Sequence, residues 1–120
     1  MRSVKIGSRT ISESSPTYMI AEIGINHNGE LEVAKKLIAE ARKAGFDAVK
    51  FQKRTIDIVF SPEELARPRE SVFGTTNGDL KYGLEFDFDQ YREIDRFCKE
   101  LGIDWFASPW DLESLKFLEK

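Results

Sequence analysis

Two segments of the chain share one short pattern, and this repeat constrains the fold more than any other feature. Gly45–Lys50 and Gly102–Ala107 both begin with glycine, an apolar residue, aspartate and two apolar residues. Each follows a stretch whose apolar residues recur at spacings of three and four, typical of an amphipathic helix, and each enters an apolar run of strand length. Alternating strands and helices predict parallel βαβ units with right-handed crossovers.

The pattern divides the chain into a hairpin over residues 1–16 and three strand–helix units over 17–45, 46–102 and 103–120. Predicted strands are Tyr18–Ile23, Ala48–Gln52 and Trp105–Ala107, and predicted helices are Glu30–Ala44, Phe88–Leu101 and a third that starts near Pro109 and still continues at Lys120. Gly7 supplies the hairpin turn, and Gly45 and Gly102 supply left-handed helix ends. The fold class is therefore α/β, either an open doubly wound sheet or part of an eight-stranded (TIM-type) barrel.

Residues 53–86 show no sustained period. Ser61 and Pro62 indicate one helical turn with Ser61 as its N-cap, and Thr75–Asp79 is rich in turn-forming residues. A connection of this length between a strand and a helix is often functional. Its basic residues are Lys53, Arg54, Arg67 and Arg69. The segment fits a lid over a ligand and fits a solvated excursion without a ligand equally well.

Composition excludes several functional classes. The 120 residues carry 18 basic and 21 acidic side chains, a formal net charge of −3, which argues against a nucleic-acid partner. No apolar run reaches the roughly 18 residues of a membrane span, so we expect no membrane partner. The single cysteine cannot form an internal disulfide, and the N-terminal region lacks the apolar stretch of a signal peptide. We therefore expect a cytoplasmic protein.

Two charged residues interrupt the predicted strands. Glu22 and Lys50 lie near the carboxyl ends of the first and second strands of the parallel sheet, where α/β folds build their sites. If helices cover both faces of the sheet, each unpaired charge costs several kcal/mol unless a partner or ligand compensates it. A polar pocket with Lys50 directed at an anion and Glu22 nearby is favoured over a buried salt bridge alone. Gln52 shares the face of Lys50, because side chains alternate along a strand.

Other reactive residues have simpler interpretations. For His27, the only histidine in the chain, a loop hydrogen bond is favoured over a substrate contact, and we expect no metal site here. Cys98 lies on an apolar helix stripe and is predicted to be inert core. Ser108 begins a segment, Ser108–Asp111, that reads as a capping box with proline at the first helical position, so capping is favoured over a nucleophilic role. The repeat places Ala107, not Ser108, in phase with Lys50.

Four motifs, taken in order, resemble the N-terminal part of the sialic acid synthases: Ala21–Gly29, Val49–Gln52, Leu84–Phe86 and Phe106–Asp111. That family includes N-acetylneuraminate synthases and their legionaminate, pseudaminate and spore-coat polysaccharide relatives. The resemblance implies that the chain is the N-terminal portion of the catalytic α/β barrel of a longer synthase. It also implies a condensation of phosphoenolpyruvate with an N-acetylated hexosamine such as N-acetylmannosamine, giving a nonulosonate and phosphate.

The resemblance assigns a role to each matching residue. Lys50 corresponds to a lysine that contacts phosphoenolpyruvate, Glu22 to an acid on the sugar side of the pocket, and Gln52 lies beside Lys50. Asn77 corresponds to a loop asparagine that contacts the sugar. A divalent metal, manganese or magnesium, is expected in the full-length enzyme, with ligands on later strands that this chain does not contain. We expect the full-length enzyme to be a homodimer and the 120-residue chain alone to be inactive.

Two alternatives remain open. The parent enzyme could be a related deoxy-octulosonate or deoxy-heptulosonate phosphate synthase, which acts on a phosphorylated sugar. The chain could also be a non-catalytic partial barrel that self-associates, since three parallel strands leave unpaired edges and uncovered apolar faces. A sugar panel separates the first alternative from a sialic-acid-type synthase, and the oligomeric state bears on the second.

Overall fold

The computed structural model of the chain describes residues 2–120. Its elements are β1 (Ser3–Ile6), β2 (Arg9–Ser12), β3 (Ile20–Gly24), α1 (Leu31–Lys43), β4 (Ala48–Lys53), α2 (Ile56–Val59), α3 (Pro62–Ala66), β5 (Pro68–Ser71), β6 (Gly74–Thr76), α4 (Asn77–Gly83), α5 (Phe88–Leu101), β7 (Asp104–Pro109) and α6 (Leu112–Leu118). Over this described range, no helix has the length and apolar character needed to cross a membrane.

A parallel sheet of three strands in the order β3-β4-β7 organises the fold. Strand β4 is central and pairs in parallel with both neighbours, and α1 and α5 lie in the connections that return the chain from one strand to the next. Parallel neighbours need such crossovers, because the chain must travel back along the sheet before it can enter the next strand. The predicted α/β fold with a parallel sheet is confirmed.

The core lies between one face of this sheet and the helices α1 and α5. Val49 and Phe51 of β4 meet Ile38 of α1 and Ile94 of α5, and all four side chains are fully buried. Side chains alternate between the two faces along β4, so Val49 and Phe51, which are two residues apart, point to the same face. Cys98 of α5 lies in the same cluster, and burial raises the pKa of its thiol to about 12. Its predicted role as inert core is confirmed.

Helix ends agree with the local sequence signals. Asp87 and Gln90 form a reciprocal capping box at the start of α5, and Gly102 ends that helix in the left-handed region with φ 73°. Helix α1 is one residue shorter at each end than predicted, and Gly45 follows it with φ 90°. These features form as predicted because each depends on residues within one helical turn.

The N-terminal hairpin of β1 and β2 fastens the amino ends of the sheet. Arg9 of the hairpin forms an ion pair with Asp47, just before β4, and Asp47 accepts a hydrogen bond from the Met19 amide at 2.8 Å. The Tyr18 hydroxyl donates to Asp104 at the start of β7, at 2.9 Å. The two aspartates of the sequence repeat therefore hold neighbouring strands together at their amino ends.

The connection between β4 and α5 contains more structure than its sequence indicates. It contains three short helices, α2, α3 and α4, and a small hairpin of β5 and β6. Ser61 caps α3 as predicted, but the predicted turn at Thr75–Asp79 is wrong, because Thr76 and Asp79 form a capping box that starts α4. Elements of three to seven residues are too short to show a hydrophobic period, which is why they escaped detection.

The predicted start of the last helix is also wrong. Strand β7 continues through Ser108 to Pro109, and α6 begins at Leu112 with Asp111 as its N-cap. Asp111 accepts hydrogen bonds from Thr55 and from the Ser114 amide, each at 2.8 Å, so tertiary contacts select it over Ser108. Although burial raises the pKa of Asp111, these bonds lower it to about 2. The helix ends at Leu118 and does not continue to Lys120.

Candidate functional site

One face of the parallel sheet carries Glu22, Lys50, Gln52 and Ser108 near the carboxyl ends of its strands. Glu22, Lys50 and Phe106 are in register across β3, β4 and β7, and Gln52 is in register with Ser108. Residues in register point to the same side of a sheet, and the opposite side packs on α1 and α5. We call this polar side the open face, because Glu22 and Phe106 are exposed there.

Glu22 and Lys50 form an ion pair across neighbouring strands. The Lys50 Nζ lies 2.7 Å from Glu22 Oε2, and the two side chains are 25% and 47% exposed, respectively. The expectation that both are buried is wrong, because α1 and α5 pack on the same side of the sheet and leave the other side uncovered. An exposed ion pair contributes only about 0–1 kcal/mol to stability. Stability alone is therefore a weak reason for two charges at these positions.

Gly24 lets the polar side chains of the open face converge. Its φ is +58°, and a Cβ at this position would lie 3.1 Å from Glu22 Oε1 and 3.2 Å from Gln52 Nε2. The pairing of β3 with β4 also shifts register between Glu22 and Gly24. Such bulges re-aim side chains and are frequent beside active sites. Glu22, Lys50 and Gln52 are thus brought together as predicted from the strand pattern.

Ser108 is the site residue that the sequence reasoning missed. Ala107 pairs with Phe51 and packs against the core, whereas Ser108 pairs with Gln52 on the open face. The prediction that Ala107 shares the phase of Lys50 is wrong, because the sheet pairs Asp104 with Ala48 although the repeat aligns Asp104 with Asp47. The alternation of core residues along β7 was the signal that could have identified Ser108.

Asn77 belongs to a different part of the molecule. It opens α4, its amide nitrogen Nδ2 donates to the Glu64 carbonyl at 3.2 Å, and its backbone amide donates to the Arg67 carbonyl at 2.8 Å. In the described residues, its hydrogen bonds therefore connect α4 to α3 and do not reach the open face. Its role in sugar binding stays a prediction.

Comparison with known proteins identifies the family to which this chain belongs. A sequence model of the NeuB family matches residues 37–120, more than half of the chain. The chain belongs to the NeuB family. This membership agrees with the predicted resemblance to the sialic acid synthases, which rested on motifs spread from Ala21 to Asp111.

Several proteins that are similar in sequence to this NeuB family chain are named as synthases. Human N-acetylneuraminate-9-phosphate synthase is 42% identical over 114 residues, covering 93% of this chain and 32% of the relative. The Drosophila melanogaster enzyme of that name is 48% identical over 103 residues (84% and 28% coverage). The N,N'-diacetyllegionaminic acid synthase of Campylobacter jejuni is 36% identical over 109 residues (87% and 32%). The chain spans about a third of the length of these relatives.

Two solved structures share the fold of this chain. The crystal structure of the N-acetylneuraminic acid (sialic acid) synthetase from Leptospira borgpetersenii, in complex with citrate, superimposes with a TM-score of 0.79 at 25% identity. The match covers 98% of this chain and 38% of that one. The Bacillus subtilis spore coat polysaccharide biosynthesis protein spsE gives a TM-score of 0.68 at 27% identity, with 98% and 30% coverage. The family and the α/β architecture therefore agree.

In this NeuB family chain, His27 supports the loop that follows β3. Its Nδ1 accepts a hydrogen bond from the Gly29 amide at 3.0 Å, and its ring stacks on Phe86 with centroids 4.0 Å apart. Burial, followed by the charge of Arg54, lowers the pKa of His27 to about 4, so the imidazole is neutral at pH 7. The favoured reading of His27 as a loop hydrogen bond is confirmed.

A basic cluster lies at the carboxyl end of β4. The Arg54 Nε donates to Glu85 Oε1 at 2.8 Å, and the Lys53 Nζ lies 3.4 Å from Glu85 Oε2. These three residues, which we call the Arg54 cluster, are almost completely buried, so the reading of Lys53 and Arg54 as part of a solvated excursion is wrong. Arg67 and Arg69, by contrast, are exposed on the segment that leads to and forms β5.

Among residues 2–120, no group of three or more histidine, cysteine, aspartate and glutamate side chains is arranged to hold a metal ion. The described residues therefore do not fit a divalent metal site.

Proposed function

We propose that this chain forms one wall of the active site of a synthase that condenses phosphoenolpyruvate with an N-acetylated hexosamine to give a sialic-acid-type nonulosonate and phosphate. The observation that carries the proposal is the Glu22–Lys50 pair on the open face, with Gln52 and Ser108 one step further along the strands. In the proposed architecture, the sheet is the N-terminal portion of an eight-stranded barrel and the open face lines its interior.

Lys50 is the residue proposed to bind phosphoenolpyruvate. Its ammonium is a compact charge on a rigid central strand, which suits a carboxylate or phosphate of the substrate. Opening the ion pair with Glu22 costs about 1 kcal/mol or less, because both partners are partly solvated. An incoming anion can therefore take the place of Glu22 at Lys50 without a large penalty.

The neighbouring groups suit a polyhydroxylated sugar. Once released from Lys50, the Glu22 carboxylate accepts hydrogen bonds from sugar hydroxyls, and the Gln52 amide can both donate and accept. The Ser108 hydroxyl adds a third polar group beside Gln52. Together they would hold the aldehyde end of the sugar next to the anion bound at Lys50, which converts a bimolecular encounter into an oriented one.

The proposed reaction consumes phosphoenolpyruvate, the aldehyde form of the sugar and one water molecule. The C3 carbon of phosphoenolpyruvate attacks the aldehyde carbon, forming the new C–C bond, and the aldehyde oxygen takes a proton. Water adds at C2, which is electron-poor after the attack, and loses a proton. The C2–O bond to phosphate then breaks as the new C2 hydroxyl gives up its proton, which leaves the keto acid and phosphate. For the full-length protein we propose, in addition, a divalent metal, manganese or magnesium, with ligands outside this chain, and a homodimeric assembly.

The product names of the relatives indicate whether the hexosamine that each enzyme accepts carries a phosphate. In this condensation, carbons 1–3 of the product come from phosphoenolpyruvate and carbons 4–9 come from the hexosamine. A 9-phosphate product, as in the names of the human and Drosophila relatives, thus requires a hexosamine phosphorylated on C6. The legionaminic acid synthase of Campylobacter has a product name without phosphate. Both acceptor forms present the same aldehyde to Glu22 and Lys50.

The test replaces the aligned segment of human N-acetylneuraminate-9-phosphate synthase with this chain and measures phosphate release from phosphoenolpyruvate across a sugar panel. We expect Lys50→Met to lower kcat/KM at least about 100-fold, which corresponds to one charge-assisted hydrogen bond of about 3 kcal/mol. Lys116→Met is the matched control, because Lys116 also forms an ion pair, with Glu113 at 3.0 Å, but lies exposed on α6.

Unchanged turnover in the Lys50→Met chimera would remove Lys50 from the site. Turnover only with pentose or tetrose phosphates would instead favour a deoxy-octulosonate or deoxy-heptulosonate phosphate synthase. Activity with N-acetylated hexosamines supports the proposal, and equal losses in the Lys50 and Lys116 variants would indicate a general effect of charge or folding.

A further inference from the structure

We infer that Arg54 and Lys81 form an anion-binding subsite beyond the carboxyl end of β4, where they bind a phosphoryl group carried by the sugar substrate. The inference rests on the proposed function and deepens it by naming the substrate class, a hexosamine phosphorylated at the end remote from its aldehyde. Five features of the structure support it: charge, an unpaired donor, a second cation, position and access.

The Arg54 cluster carries an excess of positive charge. Lys53 and Arg54 share a single carboxylate, Glu85, so the three side chains sum to one net positive charge. The Arg54 side chain is only 2% exposed and cannot rely on bulk water for compensation. A buried charge without full compensation is costly, whereas an anion bound beside it removes that cost.

Arg54 also retains a donor for this anion. Its Nε is used by Glu85, but among the residues that the structure describes its Nη2 is buried and has no hydrogen-bond partner. Buried polar groups are nearly always paired, and an unpaired one costs about 1–3 kcal/mol. Guanidinium groups are well suited to phosphoryl oxygens, because their planar N–H groups match the spacing of two oxygens.

Lys81 of α4 brings a second cation to the same place. The Arg54 Cζ lies 5.7 Å and the Lys81 Nζ 4.8 Å from the centroid of the Phe60 ring. Burial, followed by the charges of Arg54 and Arg69, lowers the pKa of Lys81, although Glu64 opposes the shift. The ammonium therefore sits in a positive potential. A phosphoryl dianion between Arg54 and Lys81 would relieve this repulsion.

The position of Arg54 fits the far end of a substrate held at Lys50. Strand β4 carries Lys50 and Gln52 and ends at Lys53, so Arg54 directly follows it at the carboxyl edge of the sheet. Arg54 lies four residues beyond Lys50, or about 13 Å along the strand direction. An open-chain hexosamine with a terminal phosphate spans a comparable length once the side chains reach towards it.

Trp110 provides a route to the buried guanidinium. The Arg54 Cζ lies 5.6 Å from the Trp110 ring centroid, and the Trp110 side chain is half exposed at the end of β7. Rotation of this ring towards solvent would uncover Arg54 without moving the sheet. Access by a side-chain rotation is compatible with a subsite that is otherwise built from packed elements.

The test measures binding to the 120-residue chain by isothermal titration calorimetry. The probes are N-acetylmannosamine 6-phosphate, N-acetylmannosamine and inorganic phosphate. We expect the 6-phosphate to bind at least about tenfold more tightly than either other probe, and Arg54→Gln or Lys81→Gln to weaken it at least about tenfold. Arg92→Gln removes the same charge from an exposed site on α5 and should change the affinity less than about twofold.

Each outcome bears on the inference. Equal binding of the phosphorylated and unphosphorylated sugars would overturn it, and inorganic phosphate binding as tightly as the 6-phosphate would overturn the assignment to the sugar. If Arg54→Gln unfolds in circular dichroism, the partly exposed Lys81 decides the question alone. A separate titration of phosphoenolpyruvate into the chain and its Lys50→Met variant tests the proposed function itself. Equal binding of phosphoenolpyruvate to both would refute that function, whereas loss of selectivity for the sugar phosphate alone refutes only the subsite.

Discussion

Mild acid should destabilise the chain through one side chain, His27. Burial of its ring, together with the nearby Arg54 charge, lowers the pKa of His27 from its ordinary 6.5 to about 4. Between these values the unfolded chain takes up a proton that the folded chain excludes. The contribution of neutral His27 is therefore fully present above pH 6.5 and is lost as pH falls towards 4.

The size of the loss in stability follows from the shift in the pKa of His27. One pH unit corresponds to about 1.4 kcal/mol, so lowering the pH from 6.5 to 5 should reduce the free energy of unfolding by about 2 kcal/mol. The two carboxylates with the largest shifts titrate below this range. Glu93 and Asp111 have pKa values lowered to about 2 from ordinary values of 4.5 and 3.8, so most of their contribution is lost below pH 4.5.

Urea unfolding at about pH 7.5, 6 and 5 measures the difference, and NMR titration of the single histidine gives its pKa directly. His27→Asn is the matched variant. An asparagine oxygen can replace Nδ1 as the acceptor for the Gly29 amide, while the titrating ring is removed. We expect this variant to be less stable at neutral pH, because the stack on Phe86 is lost, and nearly independent of pH down to 5.

Two results would contradict this reasoning. One is an NMR pKa of His27 near 6.5, which would mean that the ring is solvated in the folded chain. The other is a loss of about 2 kcal/mol in His27→Asn over the same pH range, which would assign the titration to other groups.

Two further predictions concern the core and the open face. Phe51→Ala, at a fully buried side chain between the sheet and both long helices, should lower the free energy of unfolding by about 3–5 kcal/mol in urea, with Val49→Ala losing less because a smaller volume is removed. The 120-residue chain should self-associate and lack synthase activity, because β3 and β7 each have one unpaired edge within the described sheet and Ile20 and Phe106 are exposed on the open face. A monomer in light scattering would contradict the self-association.

Long helices and their ends could be predicted from the sequence because their signals are local. The apolar stripe of α5, the Asp87–Gln90 capping box and the Gly102 end all depend on residues within a few positions of one another. Alternation along each strand likewise placed Lys50 and Gln52 on one side of β4, but the register that pairs Glu22 with Lys50 depends on the packing of the two strands.

Short elements and registers could not be predicted in this way. The helices and hairpin between β4 and α5 are too brief to show a period, and the cap of α6 moved to Asp111 because Thr55, distant in sequence, holds its carboxylate. Ser108 entered the open face because β7 pairs with β4 one residue out of phase with the sequence repeat. Each of these depends on contacts between segments far apart in the chain.

The sequence by itself determined the order of strands and helices, the family resemblance and the two charges at the carboxyl ends of neighbouring strands. Only the tertiary structure decided which face of the sheet the helices cover, and therefore that Glu22 and Lys50 are partly solvated while Arg54 is buried. The physical reason is that periodicity and capping are set by neighbours along the chain. Burial and the pairing of charges are set by the packing of whole elements against one another.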